Sequence, residues 1–322
     1  MKDHNEVHIA IVDIPTIRKI VSKKKTIESR FSKKKIKPFD LIQTDDMILL
    51  KASGNDLYGY FYVDYVESLT NFNIIEVERR YNDKIVADKS FWESKKDARY
   101  ATLIYCKYPV MANSSIYYKR KGMDGWIVVP YDNNRQVICF AGQICSGKTT
   151  YAKQLAETLD AQYIHFGTII RNYAKEHGYN DDRDSLQKVG QIIMDTLGYS
   201  GLMDLAVMYY HIENTPRNII FDGVRHRDVL NEIKRRYNNV KLVYVKATEK
   251  ERYKRYITRA NETITKEKFI LINKMSVEME ITELEKEAAY IINSRYEENF
   301  NESVTIISNI IACLLNGHKI VK

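Results

Sequence analysis

The sequence lacks the features of membrane proteins, of secreted proteins and of proteins stabilised by a zinc site. No stretch of its 322 residues approaches the roughly eighteen consecutive apolar residues that a membrane-spanning helix requires. Its first fifteen residues lack the basic region, apolar run and small-residue cleavage site of a signal peptide. The four cysteines are scattered without a CxxC pair, which argues against a zinc site and a disulfide framework. These absences predict a cytoplasmic protein with reduced thiols and no membrane partner.

The sequence also lacks internal repeats and a low-complexity linker, so its domains must be inferred from pattern. Its length exceeds the usual domain size of about 100 to 200 residues, which favours two domains. A content of 44% hydrophobic and 29% charged residues is sufficient for packed cores. We expect the first domain to cover residues 1–135 and the second to cover residues 136–322.

The basic residues are concentrated at the start of the chain. The formal net charge is +8, and residues 1–40 hold eleven Lys or Arg against five Asp or Glu, a local excess of +6. Such a concentration favours partners that carry phosphate, including nucleic acid, but lysine runs are equally typical of solvated loops. Charge alone leaves both interpretations open.

The two halves differ in their hydrophobic pattern. Residues 41–130 contain short aromatic and β-branched runs that predict antiparallel strands in a compact β-rich domain with a few helices. These runs are MILLKAS, LYGYFYVDYV, FNIIEVE, ATLIYCKYP and GWIVVP. From residue 136, short apolar runs alternate with longer helical segments, which predicts a five-stranded parallel sheet sandwiched by helices. The predicted strands of that sheet are VICFA at 137–141, QYIHF at 162–166, NIIFD at 218–222, KLVYVKA at 241–247 and AAYIIN at 288–293.

A phosphate-binding loop follows the first of these predicted strands. The loop matches GxxxxGK[ST] between a predicted strand and a predicted helix, the context that makes this pattern specific. Its residues are Gly142, Gln143, Ile144, Cys145, Ser146, Gly147, Lys148 and Thr149, with Thr150 next in the helix. The backbone N–H groups of such a loop point at the β-phosphate of a nucleotide. Lys148 is then expected to reach the β- and γ-phosphates, and the Thr149 hydroxyl to bind Mg²⁺.

Two further short motifs follow the phosphate-binding loop. Gly167–Arg171 has the form G-x-x-x-R and Asp222–Arg225 the form D-G-x-R. With the loop, they make residues 136–315 resemble the adenylate-kinase-like nucleoside monophosphate kinases and the related dephospho-CoA-kinase-like and archaeal P-loop kinases. The resemblance implies that Arg171 and Arg225 hold a phosphate of the acceptor. Asp222, at the end of an apolar strand, is suited to the Mg²⁺ shell and to accepting the acceptor's proton.

Arg252, Arg255 and Arg259 share one face of a predicted helix where, in the resembled families, a lid begins. Lid arginines would lie over the transferring phosphoryl group, so Arg255 and Arg259 are predicted to bind the nucleotide, although a solvated basic helix face is an equal alternative. We expect the glutamates of the next helical region to form an exposed acidic face without a catalytic role. They are Glu278, Glu280, Glu283, Glu285 and Glu287.

Residues 17–130 resemble the ASCH domain, a small β-barrel-like α+β domain related to PUA RNA-binding domains. The resemblance is carried by Lys25-Thr26-Ile27-Glu28-Ser29-Arg30 and by the runs around Gly59–Val63, Arg99–Ile104 and Trp126. It implies a cleft for a nucleotide, a modified nucleotide or RNA. Lys25 and Arg30 would contact phosphate or carbonyl groups and Glu28 a base edge. An exposed ion pair between Lys25 and Glu28 is an equal alternative.

The sequence therefore predicts an α/β P-loop kinase preceded by a smaller ASCH-like domain. The expected reaction moves the γ-phosphoryl group of Mg·ATP to a nucleoside monophosphate or related nucleotide, with ATP and Mg²⁺ as cofactors. Dephospho-CoA remains an alternative acceptor. A nucleotide-gated RNA-binding module without a small acceptor remains an alternative of another class.

Overall fold

The computed structural model describes residues 6–54, 56–118, 124–212, 217–259, 266–273 and 276–317, without the side chains of residues 183, 259, 268, 276 and 277. The chain divides into two compact units. The first unit comprises the described residues of Met1–Asn133 and of Asn309–Lys322, and the second comprises those of Asn134–Ser308. No helix in these described ranges is long and apolar enough to cross a membrane.

The first unit is a β-rich sheet with three helices from its N-terminal part. In chain order its elements are β1 Val7–Val12, α1 Ile14–Val21, β2 Ile27–Ser32, β3 Met47–Ala52, β4 Asp56–Thr70, α2 Ile74–Ile85, α3 Lys89–Ser94, β5 Tyr100–Tyr117 and β6 Trp126–Val128. The strands pair in the order β6-β1-β3-β4-β5, and β2 also pairs with β5. All these pairs are antiparallel except β1 with β3, which is parallel. The antiparallel pairing predicted for residues 41–130 is therefore present, whereas β1 and β2 precede the predicted runs.

One predicted strand of this unit is a helix. The run FNIIEVE lies at the start of α2, where the Asn73 side chain accepts a hydrogen bond from the Ile75 N–H and caps the helix. Val77, Tyr81 and Ile85 are its buried residues, spaced four apart as one face of a helix requires. The strand prediction was wrong because seven residues are too few to separate a period of two from a period of 3.6.

The second unit is built on a parallel sheet. Its elements are β7 Val137–Ala141, α4 Lys148–Leu159, β8 Gln162–His165, α5 Phe166–Glu176, α6 Arg183–Tyr210, β9 Ile219–Asp222, α7 Arg227–Arg236, β10 Val240–Lys246, α8 Glu249–Arg259, α9 Lys266–Asn273, α10 Ser276–Glu283, a 3-10 turn Leu284–Glu287, β11 Tyr290–Asn293 and the start of α11 Phe300–Asn316. The strands pair in the order β11-β10-β7-β9-β8, and every pair is parallel. The predicted α/β class with five parallel strands is confirmed. The carboxyl ends of β7, β8 and β9 meet at one edge of the sheet, which is where open parallel sheets bind ligands.

The last helix departs from the predicted division of the chain. We expected residues 136–322 to form one domain, but the described residues from Asn309 onward group with the first unit. Asn309 Nδ2 donates to the Tyr60 hydroxyl at 3.1 Å, and Cys313 Sγ lies 3.3 Å from Met47 Sδ. The second half of α11 therefore completes the core of the first unit.

Candidate active site

The phosphate-binding loop joins β7 to α4 through backbone conformations that favour glycine. Gly142 has φ of 150° and Gly147 has φ of 98°, and Gly147 is the N-cap of α4. A Cβ atom on Gly142 would lie 2.4 Å from the carbonyl oxygen of Val245 on β10. Gly142 is therefore required both by conformation and by the neighbouring strand. The loop ends at the N-terminus of α4, where backbone N–H groups and the helix dipole favour an anion.

Arg255 of α8 supports the loop from its carbonyl side. Its Nη1 atom donates to the carbonyl oxygens of Cys145 at 3.1 Å and Ser146 at 2.5 Å, and its Nη2 atom donates to Ser294 Oγ at 2.8 Å. In a trans peptide the N–H points away from the C=O, so the bond at Ser146 turns the Gly147 N–H away from the guanidinium. Arg255 is only 4% exposed. Arg255 thus supports the loop through its carbonyl oxygens.

Arg252 acts in the same way one turn earlier. Its Nη1 atom lies 3.4 Å from the carbonyl oxygen of Ile144 and donates to Asn273 Oδ1 at 2.7 Å. Burial is the main factor that lowers the pKa of Arg252. The two guanidinium groups place positive charge behind the loop, which strengthens its attraction for phosphate. The nucleotide contact expected of Arg255 stays a prediction. The contact expected of Arg259 also stays a prediction, because the structure does not describe the Arg259 side chain.

A cavity of about 1130 Å³ opens in front of the loop. Lys148 and Thr149 line it on the loop side, and Arg171 and Arg225 line it farther along. Burial is the main cause that lowers the pKa of Lys148 to about 8, and the positive charge of Arg225 lowers it further. The negative charge of Asp222 raises this pKa and so offsets part of the decrease. A polyphosphate in the cavity would compensate this buried charge.

Asp222 ends β9 as a fully buried carboxylate. Its Oδ2 atom accepts a hydrogen bond from the Tyr163 hydroxyl at 2.6 Å and lies 3.8 Å from His165 Nε2. Its Oδ1 atom is buried without a hydrogen-bond partner among the described residues. Burial raises the pKa of Tyr163, followed by the charge of Asp222, so this phenol remains a donor. The protein's own donors in the described structure therefore engage one of the two carboxylate oxygens of Asp222.

Tyr163 and His165 were not predicted from the sequence. They alternate along β8, and His165 is the register partner of Asp222 on β9. The available signal was that β8 and β9 both end in a side chain able to bind protons or metals. Burial lowers the pKa of His165. The negative charge of Asp222 raises this pKa, and the positive charge of Lys148 lowers it. His165 also lines the cavity.

The two arginines expected to bind the acceptor differ in their surroundings. Arg171 Nε donates to Asp181 Oδ1 at 2.7 Å, and both side chains are about half exposed or more. Arg225 Nη1 lies 3.5 Å from Glu278 Oε1. Arg171 therefore pairs with an exposed carboxylate, and Arg225 with the buried carboxylate of Glu278.

Glu278 is a correction to the expected acidic face. It is 2% exposed, and its Oε2 atom accepts a hydrogen bond from the Ile144 N–H in the phosphate-binding loop at 2.9 Å. The other four glutamates pair away from the loop. Glu280 pairs with His226, Glu283 with Lys286, Glu285 with Lys246, and Glu287 with Arg227 and Lys234. Glu278 therefore differs from the other four glutamates in being buried, and the spacing of the glutamates in the sequence does not reveal this difference.

In the first unit, Lys25, Glu28 and Arg30 form one chain of charges. Glu28 lies 3.5 Å from Lys25 Nζ and 3.0 Å from Arg30 Nη2. Lys25 and Glu28 are 6% and 4% exposed, so the alternative of an exposed ion pair is wrong in its exposure. The Arg30 guanidinium lies 5.1 Å from the centre of the Trp126 ring. A neighbouring cavity has a volume of about 340 Å³. Of Lys25, Glu28 and Arg30, only Lys25 is among its described lining residues.

Residues 138–287 match the family model that describes an AAA domain. This part of the chain contains the phosphate-binding loop between β7 and α4. The match spans somewhat less than half of the chain, and it contains the loop, Arg171, Asp222, Arg225 and Glu278.

Solved structures similar to this chain include an ASCH protein and two shikimate kinases. The ASCH protein from Zymomonas mobilis is 16% identical, with 32% of this chain and 67% of that chain covered and a TM-score of 0.27. Shikimate kinase from Bacteroides thetaiotaomicron is 20% identical, with 55% and 98% covered and a TM-score of 0.34. Shikimate kinase from Acinetobacter baumannii in complex with shikimate is 16% identical, with 56% and 93% covered and a TM-score of 0.35. At these values the likeness carries no conclusion about the substrate of this chain.

Within the matched residues 138–287, the structure places Lys148, Thr149, Arg171 and Arg225 around one cavity. Asp222 lies behind its wall, next to His165. The roles predicted for these side chains stay predictions, and their proximity makes those roles testable.

Proposed function

We propose that this chain transfers the γ-phosphoryl group of Mg·ATP to a nucleoside monophosphate or a related nucleotide. The observation that carries the proposal is a single cavity that joins the phosphate-binding loop to Arg171 and Arg225. A kinase must hold a donor polyphosphate and an acceptor in line, and positioning with charge neutralisation supplies most of the catalysis. The two arginines would bind the acceptor's own phosphate through their planar donor groups.

The residues present fit Mg·ATP. The loop keeps the curled backbone of a phosphate-binding loop, in which Gly142 and Gly147 have positive φ and no Cβ atom fits between Gly142 and Val245. Asp222 presents one buried carboxylate oxygen without a hydrogen-bond partner in the described structure. Thr149 lines the cavity one residue after Lys148. Thr149 and Asp222 would hold Mg²⁺ or its waters, and the ion would neutralise charge on the phosphates.

The chain's own residues would then act on both substrates. Lys148 contacts the β- and γ-phosphates, and its ammonium charge is stabilised there because phosphate replaces the water that burial removed. Arg171 exchanges Asp181 for the acceptor phosphate, which places the attacking oxygen opposite the leaving group. Both groups act by position and charge, in a cavity that excludes much of the water.

A panel of acceptors tests this function. The full-length protein would be incubated with Mg·ATP and each nucleoside or deoxynucleoside monophosphate, or dephospho-CoA, and ADP formation would be measured. We expect acceptor-dependent ADP formation that Lys148→Ala abolishes and that the exposed Lys153→Ala on the same helix preserves. Phosphorylation of dephospho-CoA alone would correct the acceptor to a ribose hydroxyl. Slow hydrolysis that only RNA stimulates would refute the kinase in favour of a nucleotide-gated module.

For the first unit, we propose that the cavity beside Lys25 binds a nucleotide or RNA. Lys23, Lys25 and Lys107 line this cavity together with Asp64, so basic side chains outnumber acidic ones among its described lining residues, which favours phosphate. Tyr108 lines it with a side chain that is 70% exposed, which offers an aromatic face for a base. These contacts would bring a substrate or an RNA to the enzyme.

Binding of a short RNA and of nucleotides to the full-length protein at low salt tests this second proposal. We expect Lys25→Met to weaken binding more than Lys33→Met, which removes the same charge from an exposed ion pair with Asp97. Circular dichroism would verify that both variants are folded. Equal weakening would indicate bulk charge alone, and no binding by the natural sequence would refute the proposal.

A further inference from the structure

The Glu278 carboxylate is surrounded by groups that bind phosphate. One oxygen accepts the Ile144 N–H of the phosphate-binding loop at 2.9 Å. The other lies 3.5 Å from Arg225 Nη1, the arginine expected to hold the acceptor. Glu278 is also among the charges that raise the pKa of Lys148 against the effect of burial. One buried anion thus interacts with the donor loop, its lysine and the acceptor side of the cavity.

This position is unusual for a helix of this composition. Glu278 lies in the first turn of α10, and two other glutamates of that helix, Glu280 and Glu283, have side chains that are 43% and 65% exposed. Glu278 is 2% exposed, and burial of a carboxylate is costly unless donors compensate it. Its direct partners here are the Ile144 N–H and the Arg225 guanidinium, and the buried charge of Arg252 also interacts with it.

We propose that the carboxylate of Glu278 occupies the position of the transferred phosphoryl group in the ligand-free protein, and that ATP must displace it to bind. The proposal rests on the proposed kinase function. A carboxylate and a terminal phosphoryl group are both anions with oxygen acceptors, so the same N–H and guanidinium donors serve either one. Both anions cannot share these donors, because like charges a few ångströms apart in a buried site repel strongly.

Glu278 would therefore discriminate between ATP and ADP. The γ-phosphoryl group of ATP competes with the carboxylate for the Ile144 N–H and for Arg225. ADP ends at the β-phosphate, which the loop beside Lys148 binds, and so does not require the carboxylate to leave. The displaced side chain belongs to α10, so this helix responds to the third phosphate of the donor.

Binding measurements on Glu278→Gln test the proposal. Glutamine keeps the shape and an acceptor for the Ile144 N–H but removes the charge. By isothermal titration in Mg²⁺, we expect the variant to bind a non-hydrolysable ATP analogue about tenfold more tightly than the natural protein does, and ADP within about twofold. Glu283→Gln removes the same charge from an exposed position of the same helix and should change neither affinity.

Other results would overturn the proposal. Weaker binding of the analogue to Glu278→Gln, or an equal gain for analogue and ADP, would show that Glu278 only supports the loop. If the natural protein bound neither ligand, the proposed kinase function itself would fail, which is a distinguishable result.

A measurement on the unaltered protein makes the test independent of variant folding. Hydrogen–deuterium exchange of the peptide covering α10 should change when the Mg·ATP analogue is added and stay unchanged with Mg·ADP. Equal responses to the two ligands, or no response to either under saturating conditions, would refute displacement of Glu278.

Discussion

Replacement of Arg255 by methionine separates a structural role from a direct contact with phosphate. The guanidinium makes three hydrogen bonds, to Cys145 O, Ser146 O and Ser294 Oγ, at 2.5–3.1 Å. Hydrogen bonds from a charged donor contribute about 1.5–3 kcal/mol each, and the recovered cost of burying the charge offsets part of their sum. We expect a net loss of about 3 kcal/mol in the free energy of unfolding. For a unit of this size that corresponds to a fall in Tm of roughly 6–12 °C.

Urea unfolding followed by circular dichroism, with ADP titration on the same samples, measures both effects. The control is Arg235→Met, whose side chain is 67% exposed and pairs with Glu232 on the surface, so a loss below about 1 kcal/mol is expected. Arg255→Met should lose stability and nucleotide affinity together, because the loop carbonyls lose their partner. If Arg255→Met is as stable as the control but lacks phosphoryl transfer, the side chain contacts the transferring group and the structural interpretation is refuted.

Three further predictions concern the loop, a strand and the dependence of stability on pH. Gly142→Ala should lose ADP binding, because its Cβ would lie 2.4 Å from Val245 O, and a titration that matches the natural protein would contradict this. Gly59→Ala should destabilise the first unit by about 2–4 kcal/mol in urea unfolding, because its Cβ would lie 2.0 Å from Val110 O on β5; a smaller loss would show that the strands can separate. The pKa of Glu232 is lowered from 4.5 to about 2, first by its hydrogen bond from Arg235, so the ionised form stabilises the fold above pH 4.5 and this contribution is lost as the pH falls towards 2. Glu232→Gln should therefore be less stable than the natural protein by about 1 kcal/mol at pH 7, and the difference should shrink on acidification; a constant difference would exclude the ionised pair as its cause.

The elements that could be predicted from the sequence are those set by local pattern. The strands β7 and β9 are continuous apolar runs because both faces of a parallel sheet are buried. The phosphate-binding loop is recognisable because its glycines, Lys148 and Thr149 act within eight consecutive residues. These features need no knowledge of distant contacts.

The features that could not be predicted depend on contacts between distant residues. Ile144 and Glu278 are 134 positions apart, and no spacing rule links them. The orientation of Arg255 towards the loop carbonyls likewise depends on how α8 packs, since a basic helix face has the same sequence pattern in either orientation. The α2 region was mistaken for a strand because Tyr81 and Ile85, which reveal the four-residue spacing of its buried side chains, lie beyond the apolar run.

The way α11 is shared between the two units limits how this chain can be cut. The helix begins at Phe300, and its residues from Asn309 belong with the sheet formed by the N-terminal part of the sequence. A fragment that ends near residue 135 would leave the surface around Tyr60 and Met47 without its natural cover. Proteolysis or truncation of the gene at that point would therefore yield a destabilised product that aggregates through its exposed apolar surface. Fusing the residues from 309 onward to the shortened chain through a flexible linker should restore its solubility.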